Sequence, residues 1–375
     1  MIEAHKCKKV MAVFGTRPEA VKMGPVVLEL QKQEDMETIV AVTAQHRELL
    51  DQVLDAFHIK PDFDLKIMKQ NQTLSEITTR ALLGLEAIMK EVKPDLVLVH
   101  GDTTTTFVAG LAAFYQQIPV GHVEAGLRTY NKYSPYPEEM NRLLTGVLAD
   151  LHFAPTEMAA EHLQKENKRA DTIFVTGNTA IDAFKYTIME DKRHPILEKV
   201  APDERLVLLT AHRRENWGEP MEQFFTAIRQ VVDEQSDVHL IYPVHPNPKV
   251  REQAEAILGN HPRIELIQPL DLLDFHAVLP HAYLILTDSG GIQEEAPHFG
   301  IPLIVLRDTT ERPEGIKAGT ALLAGTDKNE VYHLTTRLLT DTEFYSKMSK
   351  AVNPYGDGNA SKRIVEHIRA YFNKQ

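Results

Sequence analysis

A single cysteine, Cys7, occurs in 375 residues, so no internal disulfide can form and nothing ties the chain to an oxidising compartment. Positive charge is short too: 41 Lys and Arg stand against 53 Asp and Glu, a formal net charge of −12. A basic face for nucleic acid or an anionic membrane is therefore not expected. No window approaches the roughly 18 uninterrupted apolar residues of a membrane-spanning helix. The N-terminal MIEAHKCKKVMAVFG carries only a short apolar run that passes straight into TRPE. That is the pattern of a first buried strand and not of a signal peptide, so the cytoplasm is the expected location. Neither the G-x-G-x-x-G dinucleotide fingerprint nor the P-loop G-x-x-x-x-G-K-S/T pattern occurs, and H-E-x-x-H and G-x-S-x-G are missing as well. NAD, ATP-hydrolysis, zinc-protease and serine-hydrolase readings lose their usual support. With scattered histidines and one thiol, no metal site and no cofactor are expected.

What is present is an ordinary globular balance, 43% hydrophobic and 25% charged residues, on a chain too long for one common core. KVMAVFG, TIVAVTA, DLVLVHGD, IPVGHVE, LHFAPT and TIFVTGN read as strands. Between them HRELLDQVLDAFHI, LSEITTRALLGLEAIMKEV and TTTFVAGLAAFYQQ repeat apolar residues at helical spacing. Strands this apolar, alternating with helices, imply a parallel sheet covered on both faces. The stretch 187–205, TIMEDKRHPILEKVAPDER, is charged, contains two prolines and reads as a linker. The pattern then restarts with RLVLLTAH, VHLIYPVH, RIELIQP, YLILTDSGG and IPLIVLRD. The expected fold is α/β, two doubly wound Rossmann-like domains facing a central cleft. Their expected limits are 1–190 and 191–358, with a helix over 359–375, capped by Asn359 or Ser361, packing back on the first domain.

The ionisable chemistry sits where strands end. VFG leads into Gly15-Thr16-Arg17-Pro18-Glu19, VLVHG into Asp102 and four threonines, and VGHVE ends at Glu124. LLTAH ends at His212 and Arg213, YPVH at His245, LILTDSGG at Ser289-Gly290-Gly291, and VLRD runs on to Arg312. Ligands of open α/β sheets bind outside these carboxyl ends. Two glycines and a following helix N-terminus suit a phosphate, and Glu294 or Glu295 is placed to accept hydrogen bonds from ribose hydroxyls. In GTRPEA a proline at the first helical position follows an arginine that can fork onto a pyrophosphate. The alternative is a capping salt bridge from Arg17 to Glu19. Of 17 histidines, only His212 and His245 stand out by position.

Taken together, FGTRPEA, HGDTTTT, HVEAGLRT, PYPEEMNR, TAHRREN, TDSGGIQEEAP and LRDTTERPE resemble the signature segments of the non-hydrolysing UDP-N-acetylglucosamine 2-epimerases. The resemblance runs from about residue 10 to 358 and is closest to the bacterial, allosterically regulated type. It implies the B-type glycosyltransferase fold and reversible epimerisation of UDP-N-acetylglucosamine to UDP-N-acetylmannosamine, for surface polysaccharide synthesis. The implied route is UDP elimination and re-addition through 2-acetamidoglucal, without metal or redox cofactor. The resemblance gives Asp102, Glu124, Glu138 and His212 the catalytic roles, without deciding which carboxylate takes the C2 proton. Arg17, Ser289, Gly290 and Gly291 would hold the diphosphate, Glu295 the ribose, and Phe275 would lie against the uracil. Lys22 and Arg312 would assist with charge. Glu139, about 100° round the helix from Glu138, is expected to be structural. A second UDP-N-acetylglucosamine, as activator, would meet Gln45, Gln72, Arg213 and His245, although MKQNQTL puts Asn71 where regulated members are expected to carry an arginine. A homodimer is implied as well. Alternatives on the same fold are a hydrolysing epimerase and a UDP-sugar glycosyltransferase. A catalytically silent UDP-sugar binder would be expected to have lost a carboxylate, and all three are present.

Overall fold

The computed structural model of the chain describes residues 7–44, 47–69, 72–188 and 193–374. Two compact units emerge: the chain up to Tyr186 together with Tyr355 onward, and Thr187–Pro354. The first is a seven-stranded parallel sheet in the order β3-β2-β1-β4-β5-β6-β7. Its strands are β1 (Lys8–Phe14), β2 (Met36–Val42), β3 (Phe63–Asp64), β4 (Leu96–His100), β5 (Val120–Val123), β6 (Leu151–Ala154) and β7 (Ile173–Val175). The second is a six-stranded parallel sheet in the order β10-β9-β8-β11-β12-β13. It comprises β8 (Arg205–Thr210), β9 (Val238–Pro243), β10 (Ile264–Ile267), β11 (Leu284–Thr287), β12 (Leu303–Val305) and β13 (Ala321–Leu323). The expected α/β class with two doubly wound sheets is what the chain adopts. Among the described residues no helix is long and apolar enough to cross a membrane.

Each sheet grows outward from its first strand, and the central strands are deeply buried. Val10 to Phe14 of β1 are all 0% exposed, because β2 and β4 pair on either side and helices cover both faces. An uninterrupted apolar run is the sequence trace of such a strand, and each large side chain buried contributes roughly 1.5–3 kcal/mol. Strand order reverses between β1 and β4, and again between β8 and β11. Those are the two switch points at which a doubly wound sheet opens a crevice for ligands.

Three local expectations change. Two strands, β3 and β13, gave no clear signal; both are short edge strands defined by pairing with a neighbour and not by their own hydrophobicity. The 187–205 stretch is not a bare linker. Pro195–Lys199 forms a 3-10 turn that buries Ile196 and Leu197, and the chain crosses between units a second time at Pro354–Tyr355. The C-terminal helix Ala360–Phe372 starts after Asn359, but neither Asn359 nor Ser361 caps it. Asp182 does so from the helix Thr179–Thr187, accepting the N–H groups of Ala360 at 3.1 Å and Ser361 at 2.8 Å. A carboxylate brought by folding outcompetes the local side chain, which is how this helix comes to belong to the first unit.

Candidate active site

In the first unit the polar residues collect beyond β1, β4 and β5. Glu19, 2% exposed, holds the turn after β1. Its carboxylate accepts N–H from Gly15 at 3.0 Å and Thr16 at 2.8 Å, and hydroxyls from Thr103 at 2.7 Å and Thr106 at 3.1 Å. Burial pushes the Glu19 carboxyl above the usual range and the four donors draw it part of the way back. Gly15 has to be glycine: a Cβ there would lie 2.0 Å from Thr43 Oγ1 and 2.9 Å from Thr105 Oγ1. The salt bridge from Arg17 to Glu19 is not made, since Glu19 is used by these donors. Arg17 is the first residue of the helix Arg17–Gln31 and Pro18 the second, one place later than expected. Arg17 has no ion pair or hydrogen bond among the described residues.

Beyond β4, Asp102 Oδ2 accepts from Arg142 Nε at 2.9 Å and Nη2 at 2.6 Å. Asn141 Nδ2 donates to the Asp102 carbonyl at 2.9 Å. Arg142 Nη1 reaches Glu139 at 3.0 Å, and Glu139, fully buried, also takes the N–H groups of Thr129 at 3.1 Å and Tyr130 at 2.8 Å. Glu139 thus staples the 129–139 loop. Burial opposes the charge on Arg142, but the paired Asp102 and Glu139 more than offset it and raise its pKa. Glu138 opens the helix Glu138–Leu148 one turn before Arg142 and on the same face. Its Oε2 is buried without a hydrogen-bond partner among the described residues.

Glu124 follows β5 with φ +62, a left-handed conformation that costs a non-glycine residue about 1–2 kcal/mol. Strain of this kind persists where a side chain has to be aimed. One Glu124 oxygen accepts a hydrogen bond from Lys22 and lies 3.5 Å from Asn178 Nδ2; the other is 3.7 Å from His100 Nε2. The Lys22 and Glu124 side chains are only 11% and 9% exposed, so removing either partner would leave the other buried and unpaired by it. Beneath them His122 Nε2–H donates to the carbonyl of Gly101 at 2.7 Å. Burial holds His122 neutral, its pKa down to about 3, and His152, its register partner on β6, is lowered to about 4 by the same cause.

In the second unit Asp288, 0% exposed, does for β8 and β11 what Glu19 does for β1 and β4. It accepts the N–H groups of His212 at 3.0 Å and Arg213 at 2.9 Å, and Asn216 Nδ2 at 3.2 Å. His212 Nδ1 lies 3.2 Å from the same carboxylate, and the His212 ring lies 6.0 Å from that of His245 at 22°. Burial, then the proximity of His212, lowers the His245 pKa. Ser289 sits at the N-cap of the short helix Gly290–Glu295 without a side-chain capping bond; its own N–H goes to Thr287 Oγ1 at 2.9 Å. A Cβ on Gly290 would meet Arg312 Nη1 at 2.7 Å and Glu311 Oε1 at 3.1 Å, so glycine is what lets the guanidinium lie over the turn. Arg312 donates to Glu294 at 2.7 Å and Glu311 at 2.8 Å. Burial acts to raise the Glu311 pKa, but Arg312, Arg307 and Arg213 hold it down at about 2.

The two glutamates left open by the sequence now separate. Glu294 is 2% exposed and paired with Arg312. Glu295 faces Gly291, whose Cβ would lie 3.8 Å from its Oε1, and keeps a partly exposed side chain. Phe275 is half-buried on the helix Leu272–Val278. Gln72 accepts from Lys69 N–H at 3.2 Å and Arg80 at 3.0 Å. Gln45 and Asn71 lie outside the described residues. Sequence reasoning missed Glu19, Asn178, Asp288 and Glu311 as organisers of the site, and Arg142 as the partner of Asp102. Only Arg142 had a signal, its place at the end of PYPEEMNR.

A family model described as UDP-N-acetylglucosamine 2-epimerase matches residues 28–369. The chain is 63% identical over 364 residues to the Bacillus subtilis protein named UDP-N-acetylglucosamine 2-epimerase, covering 97% of this chain and 96% of that one. A crystal structure of the Neisseria meningitidis UDP-GlcNAc 2-epimerase bound to UDP-GlcNAc superposes with a TM-score of 0.88 at 50% identity, covering 96% of this chain and 100% of that one. An S. aureus MnaA–UDP co-structure gives a TM-score of 0.90 at 57% identity, covering 98% and 97%.

Proposed function

The chain belongs to the UDP-N-acetylglucosamine 2-epimerase family, and on that premise we propose that it epimerises UDP-N-acetylglucosamine at C2, reversibly, by elimination and re-addition of UDP. The C2 hydrogen is not flanked by a carbonyl, so removing it alone is too costly. In the proposed route a carboxylate takes the C2 proton while the C1–O bond breaks and its electron pair leaves on the diphosphate. A C1=C2 double bond forms, giving bound 2-acetamidoglucal. UDP then adds back at C1 as a proton is delivered to the other face of C2.

The observation that carries this reading is the pair of carboxylates at adjacent strand ends, each held by a buried cation: Glu124 by Lys22, and Asp102 by Arg142. With Glu138, they meet the need for groups that take and return a proton. The turn of Ser289, Gly290 and Gly291 with Arg312 supports a diphosphate site, because N–H groups and a guanidinium stabilise the charge that develops on the leaving group. Arg17 supplies a cation with no partner among the described residues. Glu295 takes the ribose, Phe275 the uracil, and His212, backed by Asp288, works with the carboxylates.

The regulatory part of the reading assigns Arg213 and His245, with Gln45 and Gln72, to a second UDP-N-acetylglucosamine. The ring of His245 against that of His212 supports it, since an activator touching one would bias the other. The homodimer part is supported by exposed Leu83, Phe114, Tyr115, Leu144 and Val147 on three consecutive packed helices of the first unit. Service to surface polysaccharide synthesis follows from the product. Incubation with UDP-N-acetylglucosamine in D₂O, followed by proton NMR, tests the chemistry. UDP-N-acetylmannosamine should appear with deuterium at C2, and the recovered substrate should gain it too. Epimerised product carrying only hydrogen at C2 would exclude the route, and free N-acetylmannosamine would indicate hydrolysis instead.

A further inference from the structure

β9 is buried from Val238 to Tyr242, yet near its end it carries a phenol into the core. Tyr242 is 0% exposed and its ring lies 5.6 Å from that of Phe225. A phenylalanine would fill the same space, and a buried hydroxyl costs free energy unless it is bonded. The Tyr242 hydroxyl donates to the carbonyl of Ala211 at 2.7 Å, a full hydrogen bond whose direction is forced because a carbonyl only accepts. Burial, then the charge of Asp288, pushes the Tyr242 pKa up, so the proton stays on the phenol. Ala211 is 2% exposed and immediately precedes His212. The carbonyl of Ala211 and the N–H of His212 belong to one peptide group, and that N–H donates to Asp288 at 3.0 Å. One amide is thus held at both ends by side chains of residues that are 0% exposed. Donation to its oxygen also strengthens the bond that its N–H makes. The plane of this amide sets the direction in which His212 leaves the backbone. The chain running on from β9 then brings His245, whose ring lies 6.0 Å from that of His212.

We infer that Tyr242 is a positioning residue for His212. Acting through the Ala211–His212 peptide group, its hydroxyl fixes the direction of the imidazole, although Tyr242 has no exposed surface to offer a ligand. This rests on the catalytic role proposed for His212. It extends the site to a hydroxyl that core packing alone does not require.

Turnover of UDP-N-acetylglucosamine by the full chain tests it, arranged as a double-mutant cycle. Tyr242→Phe keeps the ring and removes one oxygen. It should lower kcat about three- to tenfold, the worth of one hydrogen bond, with KM unchanged. His212→Gln should lose turnover by itself, and adding Tyr242→Phe to it should cost nothing more, because the imidazole that the hydroxyl positions is gone. A tyrosine that only packs the core would give the same loss in both backgrounds. If His212→Gln leaves too little turnover to compare, amide hydrogen exchange decides. In Tyr242→Phe the His212 amide should exchange faster than in wild type, while the amide of Leu208 in β8 keeps its rate. Tyr242→Phe with wild-type kcat, with equal losses in the two backgrounds, or with wild-type protection of the His212 amide would overturn the inference. His212→Gln with wild-type turnover would instead overturn the role of His212, and the inference with it.

Discussion

In the unit built on β1–β7, one buried carboxylate, Glu19, gathers donors from the turns after β1 and β4. In the unit built on β8–β13, Asp288 gathers donors from the turn after β8 while lying at the end of β11. Both acids lie at a switch point, where two neighbouring strands send their chains to opposite faces and leave N–H groups that helix ladders cannot satisfy. The outer residues then differ. The first unit surrounds its lacing with acids, Glu124 paired with Lys22 and Asp102 with Arg142. The second surrounds its lacing with arginines that share acids, beside a glycine turn. Equal topology therefore gives equal crevices, and the side chains just outside the lacing decide whether a crevice is lined by acids or by arginines.

The strongest way to break this comparison is to remove the acids. Glu124→Gln and Asp102→Asn should each lower turnover by about 10² or more, the scale of acid–base catalysis, with UDP affinity retained because neither residue is among the proposed nucleotide contacts. Turnover within tenfold of wild type would remove that carboxylate from the proton path. Arg17 tests the division from the opposite side, being a cation of the acid-rich unit. Arg17→Ala should weaken UDP binding by roughly 1.5–3 kcal/mol, one charge-assisted contact, and unchanged calorimetric affinity would confine the anion site to the second unit.

Acid should separate the units by stability. His122 and His152 have folded-state pKa values of about 3 and about 4, below the ordinary 6.5. Below pH 6.5 the unfolded chain therefore binds protons that the folded unit refuses. Their contribution is whole above about pH 6.5 and shrinks as the pH falls toward those values, on the order of 2 kcal/mol per histidine by pH 5. Glu19 and Asp182, pushed up by burial, act in the opposite sense and offset part of this loss. In the second unit Glu311, held near 2, gives up stability only as the pH drops from about 4.5 toward 2. Hydrogen exchange at pH 7.5 and pH 5 should show β5 and β6 losing protection before β8 and β11; the reverse order would contradict the assignment. The smallest effect sharpens the boundary between the units. Asp182→Ala should cost the first unit about 1 kcal/mol, the worth of a helix cap, and leave UDP affinity unchanged. A shift in UDP affinity would mean that the cap reaches the second unit.

Much of this was legible in the chain. Buried strands such as KVMAVFG and RLVLLTAH announce themselves because burial on both faces demands uninterrupted apolar residues. The position of Asp102, Glu124, Ser289 and Arg312 at strand ends was legible for a related reason: ionisable residues stop an apolar run. The partners were not. Nothing in sequence spacing says that Lys22 will meet Glu124, 102 residues on, or that Asp182 will cap a helix 178 residues later.

The sequence by itself determined the α/β class, because periodicity and apolar content act over a few residues and need no knowledge of what lies across the sheet. It determined as well which residue types stand at each strand end. Only the tertiary structure decided which acid is tied into the scaffold and which is not. Glu19 and Glu139 are buried under donors from other segments, whereas Glu138 keeps a buried oxygen without a partner among the described residues. That choice depends on desolvation and on donors delivered from distant strands, and a carboxylate's surroundings are a property of the folded chain.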